Sequence, residues 1–226
     1  MSHPLDNPVW AALSGRQQHF TQGTEAVKYF PADVAPFIAM NHWGEDQWPV
    51  LFRDMPAGRS FSVLVNDAIT LPPAIEVTFS LPLYQLVCPA LIPYSKPGIV
   101  IRDLVDGDIQ QMLSLTAATK PGPFFQRTIE FGNYTGICDG DELLAMAGER
   151  LQVNGFTEAS AICTKPGHNG KGYASLLLSA VAEKIIAAGD TPFLHVKQDN
   201  EAALAVYKKL GFAIRRETYF AVFRKK

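Results

Sequence analysis

The sequence predicts a mixed α/β fold, and three observations carry that prediction. Residues 159–212 alternate strand, glycine-rich turn, helix, strand, helix: ASAICT, KPGHNGKGYA, SLLLSAVAEKIIAAG, TPFLHVKQ, DNEAALAVYKKLGF. Upstream, 134–139 and 142–152 are two apolar runs around Gly140-Asp141, a hairpin signal that makes the sheet antiparallel there. Proline is uneven: twelve of sixteen precede Ile99, and the run 93–98, PYSKPG, reads as a linker between an N-terminal α/β region, 1–97, and a second domain, 99–226.

In chain order, Asn7-Pro8 reads as a helix start, a capping side chain followed by Pro at the first helical position. That helix is expected to run to about Phe20, with Val9, Trp10, Leu13 and Phe20 inward. Residues 29–55, punctuated by Trp and Pro, read as short helices and loops. Strands are expected at 60–65, 75–80 and 83–88. After the linker come a strand at 99–104 and an amphipathic helix at 106–118, with Ile109, Met112, Leu113 and Leu115 inward. A loop with two prolines follows at 120–125, then a short helix near 127–131, the hairpin, and a strand at 156–164. Strands at 214–216 and 218–224 end the chain.

Composition narrows the function classes. An apolar fraction of 47% suffices for a core, and a net charge of −2 offers no basic field for nucleic acid. No run of eighteen apolar residues exists to span a membrane, and the first residues lack the basic-then-apolar order of a signal peptide. Cys88, Cys138 and Cys163 are odd in number and widely spaced, no CxxC occurs, and the five histidines do not pair at ligand spacing. The expectation is a cytoplasmic, reduced protein without metal.

The chemical signal lies in 169–175. Gly170 and Gly172 precede a helix, so backbone N–H groups and the positive end of the helix dipole face outward with no Cβ in the way, and Lys171 and Ser175 add a charge and a hydroxyl. This is an anion cradle. It is neither a P-loop nor a dinucleotide fingerprint, because GxxxxGK[ST] and GxGxxG are both absent. Further on, Ala203, Val206, Tyr207 and Leu210 follow a helical core stripe.

Both features together resemble the Gcn5-related N-acetyltransferase (GNAT) superfamily, and within it the FR47-like branch. The family loop Gln/Arg-x-x-Gly-x-Gly/Ala is matched by Asn169, Gly170, Lys171, Gly172, Tyr173 and Ala174, with Asn departing at the first position. The second signature, Asn-x-x-Ala-x-x-x-Tyr-x-x-x-Gly-Phe, is met by Asn200, Ala203, Tyr207, Gly211 and Phe212. The resemblance covers roughly 99–226. It implies a central, mostly antiparallel sheet flanked by helices, splayed between the strand before the loop and the strand 191–198. The region 1–97 is expected to be a diverged half of the same fold.

The cosubstrate implied is acetyl-CoA, its pyrophosphate on residues 169–175. Its pantetheine arm would lie along the backbone of Ile162, Cys163 and Thr164, beside Asn200 and Ala203. The reaction implied is direct transfer of acetyl to a primary amine of a small molecule, amino acid or peptide. In that resemblance Tyr207 lies beside the sulfur and protonates the leaving thiolate, against its alternative as a core tyrosine. Glu158 resembles the strand glutamate that deprotonates the amine, against its alternative as a surface residue. Glu149, Glu130, His168 and His195 are lesser candidates for the base, and Tyr134, Phe124 and Phe125 for substrate walls. Two other readings stay open, a longer acyl-CoA as in glycine acyltransferase-like proteins and a non-catalytic acyl-CoA-binding module. A homodimer also stays open.

Overall fold

The structure is a computed structural model describing residues 3–67 and 71–226. It opens with a 3-10 turn, Pro4–Asp6, and helix α1, Pro8–Leu13. Three short strands follow, β1 (Gln22–Gly23), β2 (Val27–Tyr29) and β3 (Ile38–Met40), which form a small antiparallel sheet. Then come helix α2 (Trp48–Asp54) and strands β4 (Phe61–Val65), β5 (Ile75–Val87) and β6 (Arg102–Asp103). The second half comprises α3 (Ile109–Thr119), β7 (Tyr134–Asp139), β8 (Glu142–Val153), β9 (Phe156–Thr164), α4 (Tyr173–Ala187), β10 (Thr191–Lys197), α5 (Glu201–Lys209) and β11 (Ala213–Lys225).

Eight strands form the main sheet in the order β4-β11-β5-β10-β9-β8-β7-β6. Every pairing is antiparallel except β9 with β10. Helices α4 and α5 cover one face, packing Leu177, Val181, Leu204 and Leu210 on Ala145, Ala159, Leu194 and Val196. The other face carries α1 and the N-terminal aromatics, with Phe30, Phe37 and Phe131 packed on Leu83, Leu151 and Phe193. Helix α3 lies on this second face, its Met112 and Leu115 against Met146 and Cys163. Adjacent β10 residues thus alternate faces, Phe193 to one and Leu194 to the other. Among the described residues no helix is long and apolar enough to cross a membrane.

Several elements differ from the sequence reading. Helix α1 stops at Leu13, and the chain turns through Ser14-Gly15 into a separate 3-10 turn, Gln18–Phe20, which still buries Phe20. The expected breaks at Leu81-Pro82 and at Glu217 are both absent, because β5 and β11 are long continuous partners. Pro82 is tolerated because its carbonyl, accepting from the Gln198 N–H at 3.5 Å, faces the β10 side, where the pairing ends at Lys197↔Leu83. Its missing N–H therefore breaks no ladder bond. The strand expected at 99–104 shrinks to the two residues of β6.

The division at residue 98 is not a break in the sheet. β5 lies between β11 and β10, and β4 pairs with β11, so the N-terminal region supplies two of the eight strands. The segment expected as a linker is tied down, with the Tyr94 N–H donating to Ser179 Oγ of α4 at 2.9 Å and Lys96 Nζ to the Lys171 carbonyl at 2.7 Å.

Candidate active site

Among the described residues the one parallel strand pair of the main sheet is also incomplete. β9 and β10 pair from Thr191↔Phe156 to Phe193↔Glu158 and then part. Beyond Glu158 the β10-facing edge of β9 is bare, as is the β9-facing edge of β10 beyond Phe193. The splay implied by the family resemblance is therefore present. β9 is also bulged. Its register against β8 shifts between Gly148↔Ser160 and Met146↔Cys163, and Ala161 sits at φ +53°, a left-handed conformation rare for a residue with a Cβ. A bulge leaves a residue outside the ladder and commonly marks a functional edge.

A cavity of about 740 Å³ fills this splay. On the α5 side it is lined by Ile162, Cys163, Thr164, Asn169, Asn200 and Tyr207. On the N-terminal side it is lined by Phe37, Leu64, Phe79, Leu81 and Phe220, with Arg150 and His195 between. The third wall is the loop after α3. Lys120 ends that helix at φ +50°, and Pro121-Gly122-Pro123 cannot resume it.

Seven of the residues singled out in the sequence share this cavity: Ile162, Cys163, Thr164, Asn169, His195, Asn200 and Tyr207. Tyr207 is 8% exposed, and among the described residues its hydroxyl has no hydrogen-bond partner. Burial pushes its phenol up to about 12, so it carries its proton at neutral pH. Asn200 caps α5, its side-chain oxygen accepting from the Ala203 N–H at 3.1 Å, while its Nδ2 stays available to the cavity. Cys163 is a buried thiol pushed up to about 11, which makes it a poor nucleophile.

The loop continues from Asn169 into α4 with Gly170 at φ +77° and Gly172 at φ +81°. Gly172 is the N-cap, so no side chain caps the helix, and Tyr173, Ala174 and Ser175 present their N–H groups beside Lys171. Lys171 Nζ lies 3.2 Å from His168 Nδ1. Tyr173 and Ala203 are half-buried, packed on the core beneath α4 and α5.

Glu158 stands on β9, the strand expected to carry it. It is fully buried rather than on the surface, and both oxygens are engaged. Arg150 donates from Nε to Oε2 at 2.8 Å and from Nη2 to Oε1 at 2.7 Å, and His195 Nδ1 lies 2.7 Å from Oε1. Burial raises its pKa, but Arg150 and His195 outweigh burial and hold it down at about 2. A carboxylate so placed is a poor proton acceptor. His195 is pinned too, with Nε2 3.1 Å from Gln85 Nε2, which also donates to the Leu5 carbonyl at 2.9 Å. Gln85 Oε1 accepts from Arg215 Nη1 at 2.7 Å, and Arg215 Nη2 donates to Asp6 at 2.5 Å. With the Gln85 amide oriented this way, His195 Nε2 is an acceptor and its proton sits on Nδ1, toward Glu158. The chain from Asp6 to Arg150 thus crosses five strands and ties the N-terminal segment to the cavity.

The lesser candidates resolve in the same way. Glu149 is buried on Asn133 Nδ2 at 2.9 Å, and Glu130 is a surface partner of Arg127 at 2.7 Å. Tyr134 and Phe124 pack on each other at 5.7 Å inside the α3 cluster, and neither they nor Phe125 line the cavity. Sequence reasoning passed over Arg150, Gln85 and the N-terminal aromatics. One local signal pointed to Arg150: Glu149-Arg150 are adjacent charges in an otherwise apolar strand, so alternation must bury one of them.

Comparison with known proteins agrees with this geometry. Residues 134–221 match the family model described as FR47-like protein. The crystal structure of a putative GNAT-family acetyltransferase from Novosphingobium aromaticivorans superposes with a TM-score of 0.90 at 29% identity, over 100% of both chains. A GCN5-related N-acetyltransferase from Kribbella flavida shares the fold, at 14% identity and TM-score 0.59 over 95% of each chain. The N-alpha-acetyltransferase RimI of Mycobacterium tuberculosis is 34% identical over 93 residues, 38% of this chain and 58% of that protein. An uncharacterized protein of Mycobacterium leprae is 26% identical over 201 residues, 80% of this chain and 54% of that protein. The chain therefore spans somewhat more than half the length of the curated relatives it matches. The splayed strand pair, the glycine-capped helix, the FR47-like segment at 134–221 and the likeness to the Novosphingobium protein together support a member of the GNAT superfamily, in its FR47-like branch.

Proposed function

We propose that this chain is an acyl-CoA-dependent N-acetyltransferase that passes an acetyl group directly to a primary amine. One observation carries the reading: β9 and β10 part after Glu158↔Phe193 and open a cavity whose edge holds an unpartnered tyrosine hydroxyl.

The residues fit coenzyme A. The uncapped N-terminus of the fifteen-residue α4, with two left-handed glycines and Lys171, suits a pyrophosphate. The bare edge at Ile162, Cys163 and Thr164 suits the amide-bearing pantetheine arm, paired as if it were another strand. Bound there, acetyl-CoA supplies a thioester whose acetyl carbon takes the amine nitrogen as the C–S bond breaks. Tyr207 holds a proton at Oη for the departing sulfur. A phenol held at about 12 is a weak acid, but the same burial raises the basicity of a thiolate beside it. Residues on both sides of the splay hold donor and acceptor in line, the main contribution in a direct transfer.

Glu158 acts as a positioning residue that fixes Arg150 and His195. No carboxylate lines the cavity among the described residues, so the amine sheds its proton to solvent and reacts as the free base. Calorimetry with CoA, then thiol release from acetyl-CoA over a panel of amines, tests the proposal. Absence of CoA binding by the folded protein would refute it. CoA binding with no turnover on any amine would favour the non-catalytic module.

A further inference from the structure

The Arg150 guanidinium is only partly used by the protein. Its side chain is 11% exposed, Nε and Nη2 are spent on Glu158, and its face lies 5.1 Å from the Phe37 ring. Nη1 makes no hydrogen bond among the described residues, and it lies 3.8 Å from where a Cβ on Gly122, which lines the same cavity, would stand. Nη1 is thus a charged donor open to whatever enters the cavity. Nη1 still carries N–H donors on a full positive charge, and charge-assisted donors on a cavity wall suit a carboxylate.

The sign of charge agrees independently. The cavity is lined by three cations, Lys120, Arg150 and Lys197, and by no acid among the described residues. Lys197 stands two residues after His195 on β10 and so shares its face. A purely cationic acceptor such as a polyamine or an aminoglycoside would enter against repulsion strengthened by the low dielectric. The remaining wall on this side is apolar: Phe37, Leu64, Leu81 and Phe220.

We infer that the acceptor is a free amino acid with an apolar side chain, its carboxylate held by Arg150 Nη1 and its side chain against the N-terminal aromatics. This rests on the acyltransferase reading above and specifies its substrate class. In the transfer one C–N bond forms, the C–S bond breaks and one N–H proton leaves, while the carboxylate is unchanged. Arg150 is a binding residue for the acceptor, and residues 1–97 supply much of the pocket that selects it.

The test titrates the full-length, CoA-loaded protein with L-phenylalanine, L-leucine, L-phenylalaninamide, phenethylamine and spermidine by calorimetry, and follows thiol release from acetyl-CoA with the same set. Phenylalaninamide stands in for a peptide N-terminus. The acids are expected to bind, and to be acetylated, roughly 10- to 100-fold better than the amide, as for loss of a charge-assisted hydrogen bond. Arg150→Lys keeps a cation beside Glu158 but loses the fork, and should erase most of that preference while leaving CoA affinity unchanged. If that variant does not fold, the wild-type preference decides alone. Equal or better binding of the amide, phenethylamine or spermidine overturns the inference, as does no binding of either acid; in both cases intact CoA binding leaves the acyltransferase reading standing. Loss of CoA binding itself refutes that reading instead.

Discussion

Replacing Tyr207 by Phe separates chemistry from packing. The ring stays in the α4–α5 core and keeps its contact with Phe212, 6.3 Å between centroids. The hydroxyl has no partner among the described residues, so its removal deletes no intramolecular hydrogen bond. Stability should change by less than about 1 kcal/mol, the worth of one such bond. CoA affinity should stay within a few-fold. Turnover should fall roughly 100-fold, the low end for a general acid, because a CoA thiolate leaves tolerably unaided. At about 1.36 kcal/mol per tenfold, that is about 2.7 kcal/mol of barrier with almost no change in stability. Because burial holds the phenol up to about 12, the wild-type enzyme should keep its proton donor, and show no alkaline loss from Tyr207, until pH approaches that value. The assay measures kcat by thiol release, CoA affinity by calorimetry and melting temperature on the same preparations. Near-normal kcat with lowered stability would refute the reasoning and return Tyr207 to the core.

Other consequences can be measured directly. Gly172→Val should weaken CoA binding more than tenfold in calorimetry, both because φ is +81° there and because a Cβ would come within 3.0 Å of the Tyr94 hydroxyl; unchanged affinity in a folded variant would exclude the loop. Glu158→Gln should destabilise by about 3–5 kcal/mol in denaturant titration, since it leaves the buried Arg150 charge without its partner. Glu158 is held at about 2, below the ordinary value of 4.5, so its stabilisation is complete above about 4.5 and is lost as pH falls toward 2. Wild-type stability should decline in that window, and the variant should lack that component. Asn200→Ala should cost about 1 kcal/mol through the lost α5 cap, visible as a lower melting temperature. With no carboxylate lining the cavity among the described residues, kcat/KM should rise with pH until the acceptor's own amine has titrated; a plateau set by an enzyme group near neutral pH would point to a base within the protein.

Much of the second half was legible because its information is local. The turn Gly140-Asp141, strand 156–164, the glycines before α4 and the spacing from Asn200 to Gly211 act through neighbouring backbone, and the structure has these elements within a few residues of the reading. The same locality made Tyr207 and Asn200 visible, seven residues apart on one helical face. The N-terminal half was not legible in this way. Pro82 reads as a break, and only the end of β10 beside it explains why β5 continues. Nor could local pattern decide the fate of a charge. Glu158 on its strand is equally a surface residue or a base, until Arg150 from β8 and His195 from β10 close on it. Phe37 reaches the cavity, and Gln85 reaches His195 on its wall, from far away in sequence, through pairings that no local periodicity encodes. Sequence by itself determined the family signature, the helix faces and the glycine-rich turn before α4. Tertiary structure alone decided where the splay begins, which carboxylate is spent and which guanidinium is left with donors to offer, because burial and long-range pairing set those properties.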